Sequence, residues 1–146
     1  MKTEEKKRLV LLIPGFPADE LDSTCLPAQQ AFVLAMKKKF PNMAITVITF
    51  QYPFRSGWYE WNDIPVRALN GKNRGGLYRL LIWIKAWNIL RRLKKESAMV
   101  GLLSFWCTET ALIGKWFARL NHLQHYCWIL GQDARKNNGL IKLIKP

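Results

Sequence analysis

Short apolar runs separated by helical segments are the feature that most restricts how this chain can fold. Leu9 to Ile13 is one such run, and the turn-forming residues Pro14-Gly15-Phe16-Pro17 follow it directly. A run of this length without polar alternation is typical of a strand that is buried on both faces. Three later segments also have the composition of strands: Ala44 to Phe50, Ala98 to Phe105 and Tyr126 to Leu130.

Helical patterns lie between these strands. Pro27 to Phe40, Leu77 to Lys95 and Thr108 to Leu120 each carry apolar residues at helical spacing. Alternation of strands and helices with right-handed crossovers predicts an α/β fold with a doubly wound, mostly parallel sheet and helices on both faces. We expect Gln51 to Gly76 to be a long exposed loop with one candidate strand, Ile64 to Leu69. Ala134 to Pro146 begins another predicted helix.

Chain length and composition indicate one globular domain that spans residues 1–146. The chain has 146 residues, of which 49% are hydrophobic and 23% are charged. This length is enough for one substantial core and short for two domains. The composition matches an ordinary globular protein and argues against long disordered stretches.

Positive charge dominates the surface chemistry. The 23 Lys and Arg residues outnumber the 10 Asp and Glu residues, which gives a formal charge of +13. Such a balance favours phosphates, anionic lipid or another anionic partner, although a solvated basic face is an alternative. No helix-turn-helix, zinc-binding or RNA-stacking motif is recognisable, so we expect no nucleic-acid partner.

The segment Leu77 to Lys95 is the candidate membrane surface, because Trp and Lys side chains suit the headgroup region of a bilayer. In the alternative, its tryptophans are core residues packed on the sheet. The candidate membrane-facing residues are Trp83, Trp87, Arg91, Arg92, Lys94 and Lys95.

Cysteine usage and the N-terminal segment predict a cytoplasmic protein, peripheral at most to the inner face of a membrane. Cys25, Cys107 and Cys127 are an odd number without a Cys-x-x-Cys pair, and Met1 to Arg8 is too charged for a signal peptide. Arg79 and Lys85 interrupt the most apolar segment, so a membrane span is not expected.

Three loops follow predicted strands, where ligands of open parallel sheets bind. Each loop also has a simpler interpretation as a turn or a helix cap. The candidate acceptor-binding residues are Gly15, Phe16 and Asp19 in the first loop, Trp106 and Glu109 in the second, and Arg135 in the third. Gln132 and Asp133, also in the third loop, are the candidate catalytic residues.

Three other patterns give weaker hypotheses. His122, His125 and Cys127 lack a partner pair elsewhere that would complete a zinc site, so no metal site is predicted. A hydrolase with Ser104 as nucleophile is a minor alternative, because no Gly-x-Ser-x-Gly elbow surrounds this serine. The segment Gly71 to Gly76 matches neither a Walker loop nor a dinucleotide fingerprint, and we expect a flexible loop there.

Three motifs together resemble the N-terminal domain of a family 4 (group 1) glycosyltransferase. They are Leu9 to Ile13 with its Pro-Gly loop, Ser104-Phe105-Trp106, and Trp128-Ile129-Leu130-Gly131-Gln132-Asp133. The resemblance spans nearly the whole chain but depends on motif order and short motifs. It implies one Rossmann-like half of a GT-B type architecture that holds a sugar or lipid-linked acceptor, as in the synthesis of cell-envelope polysaccharide.

The resemblance also implies what this domain lacks. A C-terminal domain of the complete enzyme would bind the nucleotide-activated sugar, and transfer would retain anomeric configuration. No cofactor is expected in this domain, which is then inactive alone. The family often carries a His-Gly-x-Asp turn, whereas this chain has Leu130 at the histidine position and keeps Gly131 and Asp133. A non-catalytic basic module that binds an anionic membrane is the alternative function.

Overall fold

The computed structural model describes residues 6–131, which form a six-stranded sheet with three helices. The elements are β1 (Arg8–Gly15), α1 (Pro27–Lys39), β2 (Ala44–Tyr52), β3 (Gly57–Trp61), β4 (Ile64–Ala68), α2 (Gly76–Glu96), β5 (Met99–Phe105), α3 (Glu109–Asn121) and β6 (Gln124–Trp128). The strand order is β3-β4-β2-β1-β5-β6.

Strand β1 lies inside the sheet and explains why its sequence is so apolar. It pairs in parallel with β2 and β5, so that Leu11 lies opposite both Val47 and Leu103. Val10 to Ile13 are at most 1% exposed because helices cover both sides of the sheet. Every strand pair except β3–β4 is parallel, which confirms the predicted doubly wound α/β fold.

Two hydrophobic cores lie on opposite faces of the sheet. On one face, α2 and α3 pack through residues such as Ala86 and Phe117 against Val10 and Leu12. On the other face, α1 packs through Val33 against Leu11 and its neighbours. Alternate residues of β1 therefore contribute to different cores, as the pleat of a strand requires.

The segment after β2 differs from the expected long exposed loop. Strands β3 and β4 form an antiparallel hairpin, which adds two strands at one edge of the sheet. Asn62 and Asp63 form its turn with φ values of 47° and 56°, the left-handed conformation that tight hairpins favour. Trp61, Ile64 and Val66 are almost fully buried. The Asn-Asp pair between alternating apolar residues was the available signal for this hairpin.

Smaller differences concern the C-terminal part. Strand β6 begins at Gln124, two residues before the predicted strand, and it ends at Trp128. The predicted helix of residues 134–146 lies outside the described residues. Within residues 6–131, no helix is long and apolar enough to cross a membrane. The three cysteines form no disulfide with one another in this part of the chain.

Candidate functional site at the carboxyl edge of the sheet

All three helices begin at the carboxyl edge of the parallel strands. Leu26, Gly75 and Thr108 are their N-cap residues, and none of them caps its helix by a side-chain hydrogen bond in this structure of residues 6–131. The Thr108 hydroxyl instead lies 3.2 Å from the Thr110 hydroxyl. Helix N-termini without side-chain caps present amide donors and positive dipole ends to this edge. The edge therefore suits a ligand with anionic or hydroxyl groups.

Glu109 is a buried carboxylate at this edge, and it is bonded to side chains of two other elements. It is 7% exposed and accepts hydrogen bonds from the Gln51 amide and from the Trp83 indole N–H, the latter at 2.8 Å. The Arg79 Nε lies 3.7 Å from the same carboxylate. Both Glu109 oxygens bind protein donors, and the expected acceptor contact of Glu109 stays a prediction. Glu109 joins the start of α3 to β2 and to α2.

Gln51, at the end of β2, connects Glu109 to the loop before α2. Its side-chain oxygen accepts a hydrogen bond from the Asn73 amide at 2.7 Å, while its side-chain nitrogen binds Glu109. Its backbone oxygen accepts a hydrogen bond from the Lys72 amide at 3.2 Å. Sequence reasoning missed Gln51, although a glutamine that directly follows a buried strand is an available signal for a polar network.

The segment Gly71 to Gly76 is a turn that hydrogen bonds attach to β2, whereas a flexible loop was expected there. The Gly71 amide donates to the Phe50 carbonyl at 2.8 Å. A β-carbon at Gly71 would lie 2.3 Å from the Gln51 side-chain oxygen and 2.6 Å from the Phe50 oxygen, so only glycine fits. The Asn70 side-chain oxygen is buried and has no hydrogen-bond partner in the described part of the chain. This turn fixes where α2 begins.

The first predicted loop follows β1 and holds Gly15 and Phe16 against β2. The Phe16 amide donates to the Tyr52 carbonyl at 3.1 Å, while the Phe16 ring is fully buried and packs edge-on against Trp61. The Phe16 ring is therefore part of the core, and an acceptor contact of this residue stays a prediction. Gly15 is half-buried and lies at the edge, where its backbone faces Tyr52.

Asp19 stays exposed, and its carboxylate accepts bonds from the Leu21 and Asp22 amides at 2.9 and 3.1 Å. It therefore organises the loop through its own backbone. Asp22 accepts hydrogen bonds from the Ala18 amide and the Tyr52 hydroxyl at 3.2 and 2.9 Å. Burial opposes ionisation of Asp22, but these bonds outweigh it and lower the pKa of its carboxyl.

The second predicted loop turns sharply at Trp106, between β5 and α3. Trp106 has a φ of 65°, and its amide donates to the Trp128 carbonyl at 2.8 Å, so β6 holds the turn in place. A left-handed conformation is uncommon for a residue this large and marks a constrained position. The Trp106 side chain is half-buried at the edge, where the sequence placed it.

Ser104, the candidate hydrolase nucleophile, is fully buried on β5. Its hydroxyl donates to the Thr110 carbonyl at 2.9 Å and lies 2.9 Å from the His125 Nε2. Burial, together with the Lys115 charge, lowers the pKa of His125 from 6.5 to about 4. A serine without solvent contact does not fit the nucleophile that the hydrolase alternative requires.

The third predicted loop is only partly described. Gly131 is exposed with a φ of 32°, whereas Gln132, Asp133 and Arg135 lie outside the described residues. Within residues 6–131, no three His, Cys, Asp or Glu side chains come together as a metal site. His122 ends α3 as its left-handed C-cap residue.

The tryptophans of α2 face the protein. Trp83 and Trp87 are half-buried against the core, and the Trp87 ring meets the Phe117 ring at 5.1 Å. This packing agrees with the alternative expectation that these tryptophans pack on the core, and their membrane-facing role stays a prediction. The remaining candidates for that surface, Arg91, Arg92, Lys94 and Lys95, are exposed.

Comparison with known proteins shows the fold. No protein-family model and no curated protein sequence matches the chain. Among solved structures, the chain is similar to a UGT transferase from Siraitia grosvenorii in complex with UDP, with a TM-score of 0.52 at 11% identity. The similarity covers 84% of this chain and 24% of that protein, so the chain corresponds to about a quarter of its length. The chain therefore has a Rossmann-like α/β fold of the kind found in GT-B type glycosyltransferases.

Proposed function

We propose that this chain is the acceptor-side domain of a glycosyltransferase of family 4 (group 1). The observation that carries this proposal is the carboxyl edge, where three helix N-termini without side-chain caps surround the Gly15 loop, the Gly71 turn and the Trp106 turn. Amide donors and a half-buried indole suit the hydroxyl groups and apolar faces of a sugar acceptor. The similarity to the UDP-bound transferase supports the same class of reaction.

In this proposal the domain supplies position, and a second domain supplies the nucleotide-activated sugar. Catalysis then comes from alignment of the acceptor hydroxyl with the sugar donor and from stabilisation of the departing diphosphate. Glu109 and Gln51 are positioning residues in this proposal, since their hydrogen bonds connect the start of α3 to the Gly71 turn. Gln132 and Asp133 remain the proposed catalytic residues, and Arg135 remains a proposed acceptor contact.

The first test is the reading frame that follows Pro146 in the encoding locus. The proposal expects a second Rossmann-like domain there, or in a neighbouring gene, with a pair of glutamates about eight residues apart. Sugar transfer by the two domains together, and none by either one alone, would support the division of roles. If the second domain transfers sugar to the same acceptor unaided, the acceptor role of this chain is refuted.

A second candidate function has its own observation. Helix α2 exposes an apolar stripe at spacing i, i+3, i+4, i+7, formed by Leu77, Leu80, Leu81 and Ile84. Arg91, Lys94 and Lys95 continue the same helix as exposed cations. Apolar and basic side chains together suit docking on an anionic bilayer at the inner face of a membrane.

Vesicle binding tests this second function. At low salt, the protein should sediment together with phosphatidylglycerol vesicles. The double variant Leu81→Ser, Ile84→Ser should bind the vesicles several-fold more weakly, because it lacks the apolar side chains that insert into the bilayer. Leu34→Ser on α1, also exposed, is the matched control. Equal retention of all three proteins would show that α2 does not dock.

A further inference from the structure

A basic cavity lies on the flank of α2. It has a volume of about 360 Å³ and lies between α2 and the β3–β4 hairpin. Strands β3 and β4 are the last two strands at one side of the sheet, and one face of this hairpin borders the cavity. Its polar and aromatic lining consists of Ser56, Trp58, Arg67, Lys85, Asn88 and Arg92.

Among residues 6–131, three cations and no carboxylate line this cavity. Lys85 and Arg92 project from the same side of α2 at positions i and i+7, and Arg67 projects from β4 across from them. Arg91 and Lys95 border an adjoining hollow that shares Arg92. Like charges gathered without an acidic partner repel one another, and a bound anion would relieve that repulsion.

Arg67 gives the more specific indication. Its Nε is buried and has no hydrogen-bond partner among residues 6–131. Because this Nε is enclosed by protein, a ligand in the cavity would contact the outer part of the Arg67 guanidinium. The Arg67 guanidinium lies over the Trp58 ring at 5.9 Å, which holds the group in a fixed direction.

We propose that this cavity binds a phosphate group, with Arg67, Lys85 and Arg92 as its ligands. Guanidinium groups present paired donors that match phosphate oxygens, and Lys85 adds a compact charge. Ser56 and Asn88 contribute neutral polar groups to the same lining. The site does not depend on the carboxyl edge, so it is independent of the proposed transferase function.

The test is a titration of the whole chain with inorganic phosphate, at constant ionic strength, followed by amide and indole NMR shifts. We expect saturable shifts at the Trp58 indole and at the backbone of Arg67 and Arg92. Lys85→Gln and Arg92→Gln change exposed side chains, so the fold should persist. Each should weaken phosphate binding about tenfold, as loss of one charge-assisted hydrogen bond implies.

Lys38→Gln on α1 is the matched control, because Lys38 is exposed and lies outside the cavity. Unsaturable shifts, or equal weakening by the Lys38 variant, would overturn the proposal, since both indicate general charge screening.

Vesicles of phosphatidylcholine with phosphatidic acid then identify the source of the phosphate. Retention that inorganic phosphate displaces and Arg92→Gln weakens indicates a lipid headgroup. If neither inorganic phosphate nor the Arg92→Gln substitution changes vesicle retention, but Arg92→Gln still abolishes phosphate binding, the natural ligand is a soluble phosphate compound.

Discussion

Replacement of Gly71 by alanine should destabilise the protein strongly. The new β-carbon would lie 2.3 Å from the Gln51 side-chain oxygen and 2.6 Å from the Phe50 carbonyl oxygen, well inside any normal contact. Rotation of the Gln51 amide would relieve the first clash but break its bonds to the Asn73 amide and to Glu109. Loss of these bonds costs about 2–4 kcal/mol, at roughly 1 kcal/mol for a neutral bond and more for a charged one.

The second clash cannot be relieved in the same way. The Phe50 oxygen belongs to the buried strand β2, so the turn itself must shift, which adds about 1–3 kcal/mol of packing strain. Gly71→Ala should therefore lower the free energy of unfolding by about 3 kcal/mol or more. For a domain of this size the melting temperature falls by roughly 10 °C.

Urea unfolding followed by far-UV circular dichroism measures this loss. Gly75→Ala is the matched control, because no atom lies within 4 Å of its added β-carbon, and it should change stability by less than about 1 kcal/mol. In a Gln51→Ala background, the cost of Gly71→Ala should fall but not vanish, since the Phe50 clash remains. Equal stability of the Gly71 and Gly75 variants would refute the reasoning.

Three further changes test the networks around the sheet. Glu109→Gln should lower the free energy of unfolding in urea by about 2 kcal/mol, because the amide nitrogen would face one of the two donors that now bind the carboxylate. Glu60→Gln, at an exposed position, should cost little. Equal costs for the two variants would contradict this reasoning. The folded-state pKa of His125, about 4 against 6.5 when unfolded, means that the folded protein binds fewer protons between these values. Stability should therefore fall as pH drops from 6.5 to 4, and His125→Gln, but not His122→Gln, should flatten that fall. The lowered pKa of Asp22 adds stability above pH 3.8 that is lost as pH falls further. The stability that Asp22→Asn loses relative to the unchanged protein should therefore become smaller in acid. A loss that stays constant with pH would argue against a role for the charged carboxylate.

Local sequence patterns were sufficient for most of the fold. Both faces of a continuous apolar strand such as Leu9 to Ile13 must be shielded from water, so these runs predicted strands inside a parallel sheet that is covered on both faces. Helical spacing over Pro27 to Phe40 and Leu77 to Lys95 placed α1 and α2 to within a residue or two. The order of these elements then favoured one topology because crossovers are right-handed. The candidate strand Ile64 to Leu69 is confirmed as β4, whereas β3 and the hairpin pairing were missed because the Asn-Asp turn was interpreted as part of a loop.

The site depended more on contacts between distant segments. The positions of Gly15 and Trp106 at the carboxyl edge followed from strand order alone. The roles of Phe16 and Glu109 did not, because sequence does not say which side chains of a loop turn inward and find partners.

The sequence by itself determined the α/β class and the order of most elements, because each predicted strand or helix follows from periodicity within one segment. Only the tertiary structure decided which polar groups are already bonded and which lack a partner. Gln51 joins Glu109 across 58 positions of sequence, and the unsatisfied Arg67 faces Lys85 and Arg92 only because the hairpin folds beside α2. Such pairings depend on how separate elements pack, and no local pattern encodes them.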